Sequence, residues 1–437
     1  LCQSKFTKED FRKMKHIMKI KKELLLLSIT IFFVQVSSAQ TVNYNQLSGQ
    51  DLSKALNPIT TAVPFLMISP DARAGGMGDA GVASSTDVNS IHWNASKLAF
   101  ADKQSGVGLS YTPWLRSLVP DINLLYLSGY YKTKSSGTFA GSLRYFSLGE
   151  INFTDVNGNS IGTFKPNEFA IDVAYAKKLS KTFSMGGALR FVNSNLTQGT
   201  SSNGSVTRPG RAIAVDISAT YKNDEMKLGD KKATGTIGLN ISNVGNRMSY
   251  TTNNSSLNTS AYLPINMRLG GSILIKLDEY NTITFLAEAN KLLVPTPPVY
   301  ARDSTGALIP NGNGGYQIAA GQDPNKNVAS GVFGSFSDAP GGFKEELHEI
   351  NYCGGLEYWY NKLFALRTGY YYENSTKGGR QYVTMGAGIK YNVMGIDFAY
   401  LMPTTSIARN PLANTLRISL SFDFDAFKAQ NQTQATD

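Results

Sequence analysis

The sequence predicts an all-β chain, a fourteen-stranded antiparallel β-barrel that spans a membrane. Three observations predict it. Apolar and polar residues alternate with period two from about residue 105 to the end. Connections are mostly short turns after even-numbered strands and mostly long loops after odd-numbered ones, the pattern of outer-membrane barrels. Charged residues are only 17% of the 437, while 41 Gly, 22 Tyr and 22 Phe suit tight turns and aromatic girdles.

The first element is a targeting segment. Basic Lys15–Lys22, apolar Leu24–Val36 and Ser37-Ser38-Ala39 make a signal peptide, with cleavage expected after Ala39. Translation is expected to start at Met14 or Met18, with residues 1–13 upstream. The apolar run is shorter than the roughly 20 residues a spanning helix needs, and no other stretch approaches one. Residues 1–39 hold eight Lys/Arg and three Asp/Glu, so the net charge of +10 falls to 10 − 5 = +5 beyond them. That balance is dispersed, with no basic run, and argues against nucleic acid as a partner. Cys2 leaves with the signal, and Cys353 alone makes neither an internal disulfide nor a metal site.

Residues 40–104 form the next unit. Pro58, Pro64 and Pro70 prevent a long helix there. Ser69–Phe100 then reads SPDARAGGMGDAGVASSTDVNSIHWNASKLAF. Gly76–Gly81 matches GxGxxG, but no strand precedes it and no βαβ unit follows, so the nucleotide reading fails. Small residues instead let this backbone pack closely against another surface. With the barrel pattern that follows, the stretch reads as the filling of the barrel's mouth.

Residues 105–427 are the barrel. Candidate strands lie near 105–112, 122–132, 137–148, 167–178, 182–195, 211–222, 234–244, 264–277, 281–292, 347–360, 362–373, 380–391, 394–402 and 413–424. In 213–221, Ile213, Val215, Ile217, Ala219 and Tyr221 share one face against Asp216, Ser218 and Thr220. Arg144, Arg190, Arg268, Glu288 and Arg367 recur on the polar face, which a membrane barrel turns to its lumen. The 223–233 connection is the one long link on the short-turn side. An even strand count closes an antiparallel barrel without an exposed edge. A polar tail, 428–437, follows.

Two long loops carry apolar side chains that outside a bilayer need a contact. One holds Trp114, Leu115, Leu118 and Val119; the other, 293–346, is the longest and holds Phe333, Phe336 and Phe343. They are the candidate partner-binding loops.

Catalytic types are scarce. His92 has Asp87 and Ser90 near it only in sequence, and His348 among Glu345, Glu346 and Glu349 lacks the second His of HExxH. Asp155–Asn159 opens like a calcium loop but lacks Gly at the sixth position and Glu at the twelfth. The expectation is no enzyme, no catalytic residue, no cofactor and no metal.

Ala72–Ala83, followed by Asp87, Asn89 and Trp93–Ala99, resembles the N-terminal segment of the FadL-type barrels, and within them the PorV family of the type IX secretion system. Tyr111–Leu115, Leu143–Gly149, Pro166–Ala170 and Asp338–Leu347 extend the resemblance, which runs from about Thr60 to Phe424. Ala95 departs from it, standing where such proteins commonly have Pro. The resemblance implies a FadL-like barrel of the bacterial outer membrane with an N-terminal plug in the lumen. Arg73, Gly75, Gly76, Gly78, Asp79, Gly81, Trp93 and Asn94 are the plug residues, with Arg73 expected to pair with Asp172, Asp216 or Asp423. It also implies partners: the giant translocon barrel, the C-terminal domains of secreted cargo, a surface attachment complex with a sortase-like protease, and outer-membrane lipid. A cargo shuttle predicts a well-filled barrel. The alternative, a FadL-like channel for hydrophobic small molecules, predicts an apolar luminal pocket.

Overall fold

The computed structural model describes residues 51–116, 119, 121–135, 137–154, 157–196, 201–202, 205–250, 260–404, 412 and 415–424. The expected signal peptide, the polar tail and Leu118 lie outside them. Among the described residues no helix is long and apolar enough to cross a membrane.

Fourteen strands form one closed barrel. They are β1 Ser105–Pro113, β2 Ile122–Lys132, β3 Thr138–Leu148, β4 Asn167–Lys178, β5 Phe183–Asn195, β6 Gly210–Leu228 and β7 Lys231–Gly245. The second half is β8 Asn266–Lys276, β9 Asn281–Leu292, β10 Ile350–Tyr360, β11 Phe364–Tyr372, β12 Gln381–Tyr391, β13 Met394–Pro403 and β14 Thr415–Asp423. Each pairs antiparallel with its neighbour in sequence, and β1 closes the ring on β14 from Gly106↔Asp423 to Tyr111↔Ile418. Every edge is therefore paired.

The period-two pattern becomes two surfaces. On β6 Ile213, Val215 and Ile217 are exposed while Asp216, Ser218 and Thr220 are buried. Exposed apolar side chains of this kind ring the wall, as a lipid-facing band requires. Arg144, Arg190, Arg268, Glu288 and Arg367 are all buried on the inner face.

The 223–233 link is corrected: it is strand, not loop. β6 runs to Leu228 and β7 starts at Lys231, so only Gly229 (φ 60°) and Asp230 turn the chain, with a register shift between Asn223 and Met226. The charges there hide the alternation because the hairpin is polar on both faces. The opposite end carries added structure inside the long loops. Ile151–Thr154 pairs with Ser160–Phe164, and Val299–Tyr300 with Ile318–Ala320. The longest loop also holds helices Val328–Gly334 and Phe343–His348. The strand expected from 347 is thus helix to His348 and strand from Ile350, because Lys344, Glu345, Glu346 and Leu347 are good helix formers.

Candidate functional site

The site is the lumen and the rim above it. From Ala62 to Ala101 almost every residue is buried. Its backbone is broken into short turns, a 3₁₀ turn at Pro64–Met67 and helical turns at Ala72–Gly75 and Ser90–Trp93. Pro and Gly forbid anything longer, so many backbone groups lack helical partners. Inward-facing strand side chains supply them. Ser419 accepts from Ala72 N at 2.8 Å, Thr384 from Gly78 N at 2.8 Å, and Glu288 from Gly81 N and Val82 N at 2.8 and 2.9 Å. These come from β14, β12 and β9, and Asn94 Nδ2 reaches Thr220 on β6 at 3.0 Å. The segment therefore lies within the ring of strands.

Charged groups lock it there. Arg73 does not meet Asp172, Asp216 or Asp423, the partners expected for it. It forms a two-pronged pair with Glu357 on β10 and reaches Asp87 Oδ2 at 2.8 Å. Asp172 and Asp216 are taken by Arg190, at 2.5 and 3.0 Å. Asp79 receives Arg417 Nη1 and the Tyr382 hydroxyl, each at 2.6 Å. Trp93 Nε1 donates to Asp71 at 2.7 Å, and the Arg268 guanidinium lies 4.8 Å over its ring.

The glycines permit the approach. Gly78 has φ +70°, and a Cβ there would stand 2.6 Å from Tyr370 N and 2.7 Å from Gly354 O. A Cβ on Gly81 would enter the Trp93 ring, one on Gly75 would meet Arg417, and one on Gly76 would lie 3.1 Å from Gly386 Cα. All eight named residues of this segment are buried.

Between this segment and the long loops lies a cavity of about 310 Å³. Phe65, Ile68, Trp114, Leu115, Tyr371 and Tyr382 give it apolar walls, while Asp79, Arg268 and Arg417 charge its floor. Trp114 and Leu115 are half-buried against it, whereas Val119 is exposed. Phe333, Phe336 and Phe343 are exposed at 79%, 47% and 67%, so three aromatic side chains stand on the rim in water.

A buried ionic cluster ties the long loops together, with no obvious sequence signal beyond its charges. Lys291 holds Glu346 at 3.0 Å and Glu349 at 2.5 Å, and Lys377 holds Glu345 at 2.6 Å and Glu349 at 3.0 Å. These carboxylates face lysines, and His348 Nδ1 lies 3.2 Å from the Ser53 carbonyl oxygen. Burial pushes the Asp338 carboxyl up to about 7, and the charges of Glu346 and Glu349 add to it. Burial also raises Glu349, but Lys291 and Lys377 more than offset it and hold that carboxyl low.

No curated protein matches the chain. Among solved structures, the toluene transporter TodX of Pseudomonas putida is similar at 11% identity and TM-score 0.45, covering 84% of this chain and 99% of that one. A FadL homologue of Pseudomonas aeruginosa is similar at 11% identity and TM-score 0.43, covering 85% and 100%. The monoaromatic hydrocarbon channel CymD gives 12%, 0.43, 84% and 99%. Residues 51–299 match the family described as type IX secretion system protein PorV. That match spans more than half of the chain, the inner segment and the first nine strands of the closed barrel, and the chain belongs to the PorV family, as an outer-membrane component of the bacterial type IX secretion system.

Proposed function

We propose that this barrel is a non-enzymatic carrier. It associates with the translocon barrel, binds the C-terminal domain of secreted cargo at its long-loop rim, and passes the cargo to the surface attachment complex. The observation that carries this reading is the filled lumen: residues 62–101 are tied to β6, β9, β10, β12 and β14 by hydrogen bonds and ion pairs, which disfavours solute flow. In this reading the segment acts as a plug, and the exposed Phe333, Phe336 and Phe343 offer the anchors that protein interfaces favour. The fold alone assigns neither role.

The cavity of about 310 Å³ supports a second reading, capture of a small hydrophobic molecule. Gentle detergent purification of the tagged protein, with mass spectrometry of proteins and lipids, separates the two. The carrier reading expects a very large outer-membrane barrel, or secreted proteins sharing a C-terminal domain, to co-purify. A lone barrel with stoichiometric hydrophobic ligand would overturn it in favour of the second.

A further inference from the structure

A second cleft lies outside the lumen, at the long-loop end of β6 and β7. It has a volume of about 460 Å³ and is lined by Arg208, Pro209, Arg211, Asn246, Arg247 and Ser249. Three arginines line it, and among the described residues no carboxylate does. The sequence makes this a local rule: it holds no Asp or Glu between Asp172 and Asp216, nor between Asp230 and Asp278. The acid two strands away, Glu168, is buried on the inner face and accepts from Ser194 Oγ at 2.6 Å. The acids that act on Tyr262, beneath Arg247, are Asp323 and Asp338 of the longest loop, and neither lines the cleft. Three arginines without a carboxylate among the lining residues favour an anion, and arginine forks match phosphate oxygens two at a time.

The cleft is built in advance. Arg247 donates from Nε and Nη2 to the Ser260 carbonyl at 3.1 and 2.5 Å, and its guanidinium lies 4.7 Å over the Tyr262 ring, so it adds fixed charge while Arg208 and Arg211 supply the forks. Arg208 is anchored through its backbone, its N–H donating to the Tyr250 carbonyl at 2.9 Å. Asn246 Oδ1 accepts from Ile213 N at 2.9 Å, tying the two walls together.

Its height on the barrel selects the ligand. Arg211 is exposed on the outward face of β6, in line with Ile213, Val215, Ile217 and Tyr221. From Arg211 to Tyr221 the strand rises about 33 Å, which a tilt of about 40° reduces to roughly 25 Å, the height of the lipid-facing band in such barrels. Lys222 follows Tyr221 at the opposite boundary. Arg211 therefore stands at the outer headgroup plane, directly above side chains that face acyl chains.

We propose that the Arg208–Arg211–Arg247 cleft binds the phosphate-bearing headgroup of an outer-leaflet lipid. The site is independent of the lumen and of the carrier reading. The test uses the full chain folded in uncharged detergent, titrated with mixed micelles containing phosphatidic acid, with mixed micelles containing diacylglycerol, and with inorganic phosphate. Phosphatidic acid is expected to bind best, with inorganic phosphate about 100-fold weaker for want of the acyl contact. The doubly substituted Arg208→Gln/Arg211→Gln protein is expected to lose at least about tenfold in phosphatidic acid affinity. Lys165→Gln, an exposed cation elsewhere on the same rim, is expected to change nothing. Both arginines are exposed, so the substituted barrel is expected to fold, and an unchanged strand circular dichroism spectrum checks it. Equal binding by the double variant, or equal loss in Lys165→Gln, would overturn the proposal. Inorganic phosphate as tight as phosphatidic acid would make this a soluble-anion site instead. Equal binding of diacylglycerol, which has the acyl chains without the phosphate, would reduce it to the apolar face alone.

Discussion

Arg73 and Glu357, 284 residues apart, make a buried two-pronged ion pair, Nε to Oε2 at 2.9 Å and Nη2 to Oε1 at 2.8 Å. Glu357 also receives Arg367 Nε at 2.7 Å, so one carboxylate bridges the inner segment and the wall. The two partners are therefore unequal. Glu357→Ala takes a shared carboxylate from two guanidiniums, leaving Arg73 only Asp87 and Arg367 only Asp397, and is expected to cost about 3 kcal/mol. Arg73→Ala leaves Glu357 paired and costs less. Urea unfolding of the two variants in the same detergent checks the order, and an equal or reversed order refutes it.

Gly78 and Gly158 both have positive φ, +70° and +84°, but only Gly78 faces the wall. Gly158→Val is expected to cost only local backbone strain of about 1–2 kcal/mol. Gly78→Val is expected to unseat the inner segment as well. Cys353, buried in one cluster with Ala74, Met77 and Ala80, reports this. In a Cys2→Ser background, a thiol reagent is expected to label Cys353 faster in Gly78→Val alone.

Asp338 gives the long loops a pH dependence. Its folded value of about 7 exceeds its unfolded value of 3.8, so the folded loop holds the proton more tightly between them. The stabilisation is complete below about 4 and is lost as pH rises through about 7. Glu349, held low, acts oppositely and only where pH falls below its ordinary 4.5. Amide exchange at Thr296 and Ala339 is expected to quicken from pH 5 to pH 8, after correction for intrinsic rates. Asp338→Asn is expected to flatten that change; an unchanged slope in the variant refutes the assignment.

Phe333→Ala and Phe343→Ala remove side chains already 79% and 67% exposed. Stability is expected to stay within about 0.5 kcal/mol. On the proposed carrier reading, co-purification of a translocon barrel is expected to fall by about tenfold or more. Full co-purification with both rings removed would move the contact surface elsewhere.

The barrel was legible in the sequence because a strand with one lipid face and one luminal face must alternate, as Ile213–Tyr221 does. The 223–233 hairpin was not, since its exposed charges from Asp224 to Lys232 interrupt the apolar–polar alternation. The inner segment showed its small residues but not its contacts. Nothing local says that Gly78 rests on Gly354, or that Gly75 leaves room for Arg417.

The sequence by itself determined the strand count, the sorting of loops by length and the charges turned into the lumen, because these follow from periodicity along the chain. Only the tertiary structure decided who pairs with whom. Arg73 had several luminal carboxylates to choose from, and the ring closure that sets β10 beside Arg73 while Arg190 claims Asp172 and Asp216 is a property of the closed barrel. Ion pairing depends on distance in space, and the shear and closure of fourteen strands set that distance, not any one stretch of residues.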